Sequence, residues 1–163
     1  MTPAVKELEA AGVDFEISEY ERHLSGDGDL HDFGREAAEA LGLSTDEVFK
    51  TLVVDVDLGG GSTDRVVAVL PVSCQLSMKS VAAAVGAKKA TMCDPADAER
   101  SSGYVVGGIS PLGQRKRLRT VVDESAELFE RIYVSGGRRG LDIGLAPGDL
   151  VAVLDATVAP ITA

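Results

Sequence analysis

The chain contains no tryptophan, and aromatic residues make up only 4% of its 163 residues against a hydrophobic share of 45%. Its core must therefore be built mainly from aliphatic side chains. No apolar run approaches the roughly 18 residues that a membrane-spanning helix needs, and the first residues lack the basic-then-apolar pattern of a secretory signal. We expect a cytoplasmic protein, most simply a single domain over residues 1–163.

Only two cysteines are present, Cys74 and Cys93, and they share no CxxC or Cys/His spacing. A zinc site is therefore unsupported, and a structural disulfide is not expected in a cytoplasmic protein. His23 and His31 flank an acidic, glycine-containing loop over residues 21–32, without a carboxylate or cysteine at metal-binding spacing. We expect neither a metal nor another cofactor.

Positive charge is scarce in the first third of the chain. Residues 1–47 carry 13 acidic and 3 basic side chains, whereas residues 48–163 carry 13 of each, so the first segment accounts for the whole net charge of −10. Phosphates should avoid the acidic segment and approach the later ones. A weak, transient RNA contact fits this distribution better than a large basic footprint.

Hydrophobic periodicity predicts short helices interleaved with strands, without regular βαβ repetition. The predicted helices cover 3–11, 33–41, 78–85, a short stretch from 94, 125–130 and 147–154. The predicted strands cover 13–20, 48–54, 65–72, 88–92, 121–123, 132–135 and 141–143. This pattern favours an α+β fold, with a mixed, mostly antiparallel, barrel-like sheet of about seven strands surrounded by short helices.

Residues 103–113 hold four glycines and a proline within eleven positions. Glycine costs about 1 kcal/mol and proline about 3 kcal/mol in a helix interior, so the stretch predicts a strand that runs into a bent loop. Gly107 and Gly108 would let the backbone approach a ligand, and Pro111 would hold Ser110 extended. Such a loop can point N–H groups at an anion or a developing oxyanion. For a Gly-Gly pair alone, an ordinary tight turn is the alternative.

Three polar side chains stand in apolar strand patterns. Lys50 lies inside a buried-strand pattern and needs a partner or a cavity, unless it extends to solvent from the strand start. Asp142 should point to the sheet face opposite its apolar neighbours, where a salt bridge to a nearby arginine is the plainest role. Tyr20 ends a strand, either as a rim tyrosine with a wet hydroxyl or as a pocket residue.

A basic run follows the glycine loop and contains Arg115, Lys116, Arg117 and Arg119. It is either a solvated turn that offsets the acidic first third or a contact for a phosphate group. Its position directly after the loop favours the phosphate contact.

The loop Gly-Gly-Ile-Ser-Pro-Leu-Gly and the bases after it resemble the signature loop of the YbaK-type Cys-tRNA(Pro) deacylases. That family shares its fold with the editing domain inserted in many bacterial prolyl-tRNA synthetases. Further ordered matches at residues 1–6, 48–52, 86–89 and 132–143 extend the resemblance over nearly the whole chain. Several ordered matches of this kind are more specific than a lone glycine motif.

The resemblance implies a trans-editing deacylase that removes cysteine from mischarged Cys-tRNA(Pro), with the substrate thiol attacking its own ester carbonyl. Its implied catalytic residues are Lys50, Gly107, Gly108, Ser110 and Asp142. Its implied substrate-binding residues are Tyr20, Ile109, Pro111, Arg115, Lys116 and Arg117. The implied partners are tRNA(Pro) and prolyl-tRNA synthetase, with no role for DNA or a membrane.

Two alternatives stay open. Proteins of the Ala-tRNA(Pro) branch tend to follow the lysine with asparagine and to use a later histidine. Here Thr51 follows Lys50 and no histidine follows His31, which favours the cysteine branch over that one or a broader aminoacyl-tRNA deacylase. The second alternative is a non-catalytic module that binds tRNA or the synthetase.

Overall fold

The computed structural model describes residues 1–21 and 33–163, so the predicted acidic loop with His23 and His31 lies outside the described residues. The helices of the described part are α1 (Pro3–Ala11), α2 (Phe33–Leu41), α3 (Met78–Val85), α4 (Pro95–Ser102) and α5 (Pro147–Leu154). The strands are β1 (Phe15–Glu19), β2 (Phe49–Gly59), β3 (Ser62–Pro71), β4 (Lys89–Met92), β5 (Arg119–Asp123), β6 (Ile132–Arg138), β7 (Leu141–Leu145) and β8 (Thr157–Ala159).

The strands form a three-stranded sheet, in the order β1-β7-β6, and a five-stranded sheet, in the order β4-β2-β3-β5-β8. All pairs are antiparallel except β3–β5 and β5–β8. A single parallel bridge between Val48 and Tyr133 joins the start of β2 to β6. The predicted α+β class with mostly antiparallel strands is confirmed, although within the described residues the two sheets do not close into one barrel.

The main core lies between the two sheets. Phe49, Val67 and Val122 of the large sheet pack with Ile143 and Leu145 of the small one, and α1 and α5 close the ends. The other face of the large sheet packs against α3. β2 lies between β4 and β3 in the large sheet. Its apolar residues on both faces predict such an inner position.

Helix ends follow the local sequence. The Thr2 hydroxyl accepts a hydrogen bond from the N–H of Val5 at 3.3 Å, and Pro3 begins α1. Gly12 ends that helix in a left-handed conformation with φ of 70°. Pro3 at the start and Gly12 after the end are the local signals that predict the helix over 3–11, and the Thr2 cap is a further stabilising contact.

Three predictions differ from the structure. Residues 104–106 form no strand, because the side chains of Glu99 and Arg139 bind the backbone there in place of a neighbouring strand. Residues 125–130 form no α-helix; a 3₁₀ turn spans Glu124–Leu128 instead. The short edge strand β8 carries too little alternation in three residues to be recognised.

Among the described residues, every helix is too short or too polar to pass through a bilayer. No group of three or more His, Cys, Asp or Glu side chains in the same residues is arranged to hold a metal ion.

Candidate active site

Residues 103–113, called the glycine loop from here on, are held in place by hydrogen bonds to the N–H and the carbonyl of Val106. The Val106 N–H donates to a carboxylate oxygen of Glu99 at 2.8 Å. The Val106 carbonyl accepts two hydrogen bonds from Arg139, at 2.6 Å from Nη2 and 2.9 Å from Nε. Charge-assisted bonds to both backbone polar groups of one residue replace the strand ladder that the sequence predicts there.

The same Arg139 joins the loop to α2. Its guanidinium lies over the Phe33 ring, 4.7 Å from the ring centroid. A methyl group at Gly107 would lie 2.7 Å from Phe33 ring carbons and 2.9 Å from Arg139 Nε. The loop, the first turn of α2 and the turn between β6 and β7 therefore meet at one guanidinium.

The two adjacent glycines are required by close packing within the protein. Gly107 has φ of 91°, a left-handed conformation that other residues rarely adopt. A methyl group at Gly108 would lie 2.9 Å from the backbone of Arg138 and Arg139. The predicted close approach of this backbone therefore occurs, but towards the β6–β7 turn.

The hydrogen bonds of the loop limit which N–H groups can meet a ligand. The Gly108 N–H donates to the Val105 carbonyl at 2.9 Å, so it is already engaged in a turn. Among the described residues, no acceptor is found for the N–H groups of Gly107, Ile109 and Ser110. These three remain as candidate donors to an oxyanion.

Ser110 and Pro111 are buried, and Ile109 is half-buried. The Ser110 hydroxyl accepts the Leu112 N–H at 3.2 Å, and its carbonyl accepts from Gln114 at 2.9 Å. Ser110 thus shapes the bend after the glycines, and its predicted catalytic role stays a prediction.

Lys50 is half-buried at the start of β2. Burial lowers the pKa of Lys50; the nearby Cys74 thiol opposes that shift, and the Arg35 guanidinium adds to it. No carboxylate among the described residues forms a salt bridge with Lys50. Because Arg35 and Phe33 both lie in the first three residues of α2, the start of this helix borders both Lys50 and the glycine loop.

Asp142 is the second residue of β7 and is only 5% exposed. It pairs with Ser18 of β1 on one side and with Ser135 of β6 on the other, so these side chains share a sheet face. Counting two residues along each strand from the Val48–Tyr133 bridge brings Lys50 and Ser135 to the same face. Strand register thus points to a polar row of Lys50, Ser135, Asp142 and Ser18.

The Asp142 carboxylate has no hydrogen bond or salt bridge from the described residues. The neighbouring arginines are engaged elsewhere, because Arg138 binds Glu19 at 3.1 Å and Arg139 binds the Val106 carbonyl. Desolvation by burial raises the pKa of Asp142 to about 7. The plain expectation of a salt bridge to an arginine is not met.

Tyr20 is half-buried just beyond β1, and its N–H donates to the Gly140 carbonyl at 2.9 Å. This bond continues the β1–β7 pairing by one residue. Strand alternation then gives Tyr20 the same face as Ser18, at the edge of the row that contains Asp142.

The predicted basic patch is divided. Arg115 and Lys116 line a surface cavity of about 260 Å³ together with Arg65 and Arg100. Arg117 lies elsewhere, because it donates to the Val153 carbonyl at 2.5 Å and pairs with Glu7 at 3.6 Å. Arg117 therefore lies apart from Arg115 and Lys116, and the phosphate contact expected of all three stays a prediction.

The sequence did not reveal Arg139, Phe33 and Glu99 as the residues that fasten the glycine loop. The only signal for Arg139 was its place in the Gly-Gly-Arg-Arg-Gly turn, where it looked equivalent to Arg138. The partners of Asp142, Ser18 and Ser135, depend on strand register, which composition does not specify.

The arrangement of sheets and helices is similar over its whole length to a crystal structure described as "a putative trans-editing enzyme for prolyl tRNA synthetase". The TM-score is 0.78 at 21% identity, and the match covers 100% of this chain and 99% of the other. Residues 29–153 also match the sequence profile of the aminoacyl-tRNA editing domain. The chain belongs to the aminoacyl-tRNA editing domain family.

Two relatives are similar in sequence over most of the chain. The "Putative Cys-tRNA(Pro)/Cys-tRNA(Cys) deacylase EbsC" of Enterococcus faecalis is 37% identical over 149 residues, which are 91% of this chain and 84% of that protein. The "Multifunctional Ser/Thr-tRNA deacylase ProXp-y" of Escherichia coli K12 is 26% identical over 117 residues, which are 71% of this chain and 70% of that protein. The resemblance inferred from the glycine loop is thus confirmed.

The raised pKa of Asp142 predicts a pH-dependent stability. The folded state holds the proton more tightly than the unfolded chain, whose carboxyl has a pKa near 3.8, so ionisation destabilises the fold as pH rises from about 4 through about 7. The full effect is up to about 4 kcal/mol for a difference of about 3 pH units. In urea unfolding, the free energy of unfolding of Asp142→Asn should therefore rise relative to that of the parent protein as pH increases from about 4 to about 7. Above about pH 7 the difference should stay constant.

The exposed substitution Asp14→Asn removes the same charge and is the matched control. A stability difference for Asp142→Asn that stays constant from about pH 4 to 8 would contradict the buried, unpaired carboxylate.

The Arg139 contacts predict a local effect on the glycine loop. Arg139→Gln removes both hydrogen bonds to the Val106 carbonyl and the cation over Phe33, a loss of about 1–3 kcal/mol. Hydrogen exchange should accelerate at residues 104–110 more than in the core strands. Arg138→Gln, which breaks only an exposed ion pair, should leave this exchange nearly unchanged. Equal exchange in the two variants would refute the anchoring role of Arg139.

Proposed function

We propose that this protein is a trans-editing deacylase that removes cysteine from mischarged Cys-tRNA(Pro). The observation that carries the proposal is the buried Asp142 carboxylate, which has no cationic partner among the described residues. An aminoacyl ester brings an α-ammonium group that would supply the missing charge. The name of the Enterococcus faecalis relative supports cysteine as the amino acid and tRNA(Pro) or tRNA(Cys) as the carrier.

We assign the other expected site residues roles around that ammonium, in a cleft that Lys50, Asp142 and the glycine loop would share. Asp142 and Tyr20 orient the amino acid, and Lys50 contacts the ester or the terminal nucleotide. Ile109 and Pro111 shape the wall beside the aminoacyl group. Because the Gly108 N–H is engaged in a turn, the donors to the carbonyl oxygen are those of Gly107, Ile109 and Ser110. Gly108 contributes by its lack of a side chain.

The reaction needs no protein nucleophile. The cysteinyl sulfur attacks the carbonyl carbon of its own ester, a C–S bond forms, and the bond from that carbon to the ribose oxygen breaks. The thiol proton ends on the ribose oxygen, which leaves a tRNA with a free hydroxyl and cysteine as a cyclic thioester that water opens. Holding the reacting atoms close can supply about 7–11 kcal/mol of the barrier.

A broader specificity is the second candidate, and the Escherichia coli relative named for Ser/Thr-tRNA is the observation that favours it. A hydroxyl is a weaker nucleophile than a thiol, so such an activity would place more of the chemistry on protein-held water and on the loop donors. Prolyl-tRNA synthetase is the partner proposed to confer tRNA selectivity.

Removing the Lys50 ammonium should impair deacylation of Cys-tRNA(Pro). Lys50→Ala loses a charge held in a half-buried position, and we expect about a 100-fold fall in kcat/KM, comparable to the loss of one oxyanion donor. The exposed Lys89→Ala on β4 is the control for net charge and should remain active. Full activity of Lys50→Ala would remove this residue from the mechanism.

The same assay separates the candidate functions. Measured with Cys-, Ser- and Ala-tRNA(Pro), with and without prolyl-tRNA synthetase, a strong preference for cysteine supports thiol attack. Turnover of serine or alanine at a comparable rate supports the broader deacylase. Binding without release of any amino acid would leave the non-catalytic module as the function.

A further inference from the structure

The strongest unassigned feature is a surface groove of about 260 Å³ that none of Lys50, Asp142 and the glycines at 107 and 108 lines. We call it the basic groove; its lining residues are Arg65, Asp97, Arg100, Ser101, Arg115, Lys116 and Leu118. It is built from the start of β3, the end of α4 and the segment that follows the glycine loop.

The charge of the basic groove is only partly neutralised by the protein. Arg65 is paired with Asp55 at 2.8 Å, and Arg100 is paired with Asp97. Arg115 and Lys116 have no carboxylate partner among the described residues. In a chain of net charge −10, two uncompensated cations side by side mark a site for an anion.

These two cations are held in place by backbone hydrogen bonds to the last turn of α4. The Arg115 N–H donates to the Ser102 carbonyl at 2.9 Å, and the Lys116 N–H donates to the Ser101 carbonyl at 3.1 Å. The segment is therefore fixed along the helix end while its side chains are exposed. A positioned pair of cations loses less entropy on binding than a pair on a free loop.

A second observation points to the ligand. The Ser101 hydroxyl oxygen is shielded from solvent and has no hydrogen-bond partner among the described residues, although Ser101 lines the basic groove. A shielded polar atom without a partner costs about 1–3 kcal/mol. An oxyanion with several acceptor atoms would satisfy the hydroxyl and the two cations together.

We infer that the basic groove binds a backbone phosphate of RNA, with Arg115 and Lys116 neutralising the charge and Ser101 donating a hydrogen bond. That the RNA is the substrate tRNA rests on the proposed function. The groove adjoins the base of the glycine loop, because a methyl group at Gly103 would lie 3.4 Å from Arg115 Cβ. One tRNA can thus engage the groove and the cleft at the other end of the loop. Arg117 is not part of this site.

Binding of uncharged tRNA(Pro) to the full-length protein, followed by fluorescence anisotropy across a salt series, tests the groove without deacylation. Arg115→Gln with Lys116→Gln should weaken binding at least about 10-fold at low salt and reduce the slope of log K against log salt by about 0.7 to 0.9, the value for one phosphate. The control pair, Lys79→Gln with Lys89→Gln, removes the same charge at exposed positions outside the groove and should change the slope by less than half of that.

Ser101→Ala gives an independent readout. It should weaken binding several-fold and leave the salt slope unchanged, because it removes a hydrogen-bond donor and no charge. Circular dichroism checks that all variants are folded.

Equal losses in the two double variants would overturn the proposal, since net charge alone would explain them. A free-phosphate site would replace the proposal if inorganic phosphate shifts the Ser101 and Lys116 amide signals while the groove variants keep their tRNA affinity.

If the groove variants lose tRNA binding but the parent protein deacylates nothing, the groove stands and the proposed function fails. If deacylation keeps its KM in the groove variants, the groove fails and the function stands.

Discussion

The geometry of the candidate site depends on one guanidinium. Arg139 binds the Val106 carbonyl with two hydrogen bonds and lies over the Phe33 ring, so it connects the glycine loop, α2 and the β6–β7 turn. The glycines at 107 and 108 are required because any side chain there would displace Phe33 or the backbone of the turn. The loop conformation is therefore set by contacts inside the protein, and these contacts also fix the three N–H groups that have no acceptor among the described residues.

The second constraint is electrostatic. The buried Asp142 carboxylate of β7, which has no cationic partner in the part of the chain that the structure describes, destabilises the folded protein at neutral pH, and its raised pKa reflects that cost. Such a group is compensated when a ligand brings the opposite charge. The α-ammonium of an aminoacyl ester is the complementary group in the proposed function, and the polar row from Lys50 to Ser18 gives it a defined place.

Charge is distributed to suit a small footprint on RNA. The first third of the chain is acidic and would repel phosphates, while Arg115 and Lys116, beside the base of the glycine loop, have no carboxylate partner among residues 1–21 and 33–163. Arg117 is adjacent to them in sequence but is bound to Val153 and Glu7 on another surface. Of these three consecutive basic residues, Arg115 and Lys116 are exposed to solvent, whereas Arg117 makes contacts that stabilise the fold.

The sequence predicted the helices and the central strand well because their signals are local: a hydroxyl or proline at a helix start, a glycine at its end, and continuous apolar runs in β2. It also singled out Lys50, Asp142 and the glycine loop, since each contradicts its surroundings. It failed where long-range partners decide. The apolar pattern of residues 104–106 predicts a strand, but Glu99 and Arg139 bind that backbone. The local sequence pattern predicts neither contact.

The central claim is that the glycine loop, Lys50 and Asp142 face one cleft that accepts an aminoacyl-adenosine. Titration with cysteine joined to 3′-amino-adenosine through a stable amide, followed by amide NMR, tests it most directly. The account predicts that signals of Gly107, Ile109, Lys50 and Asp142 shift together with one affinity. Shifts confined to the basic groove, or shifts of the loop without those of Lys50 and Asp142, would contradict it.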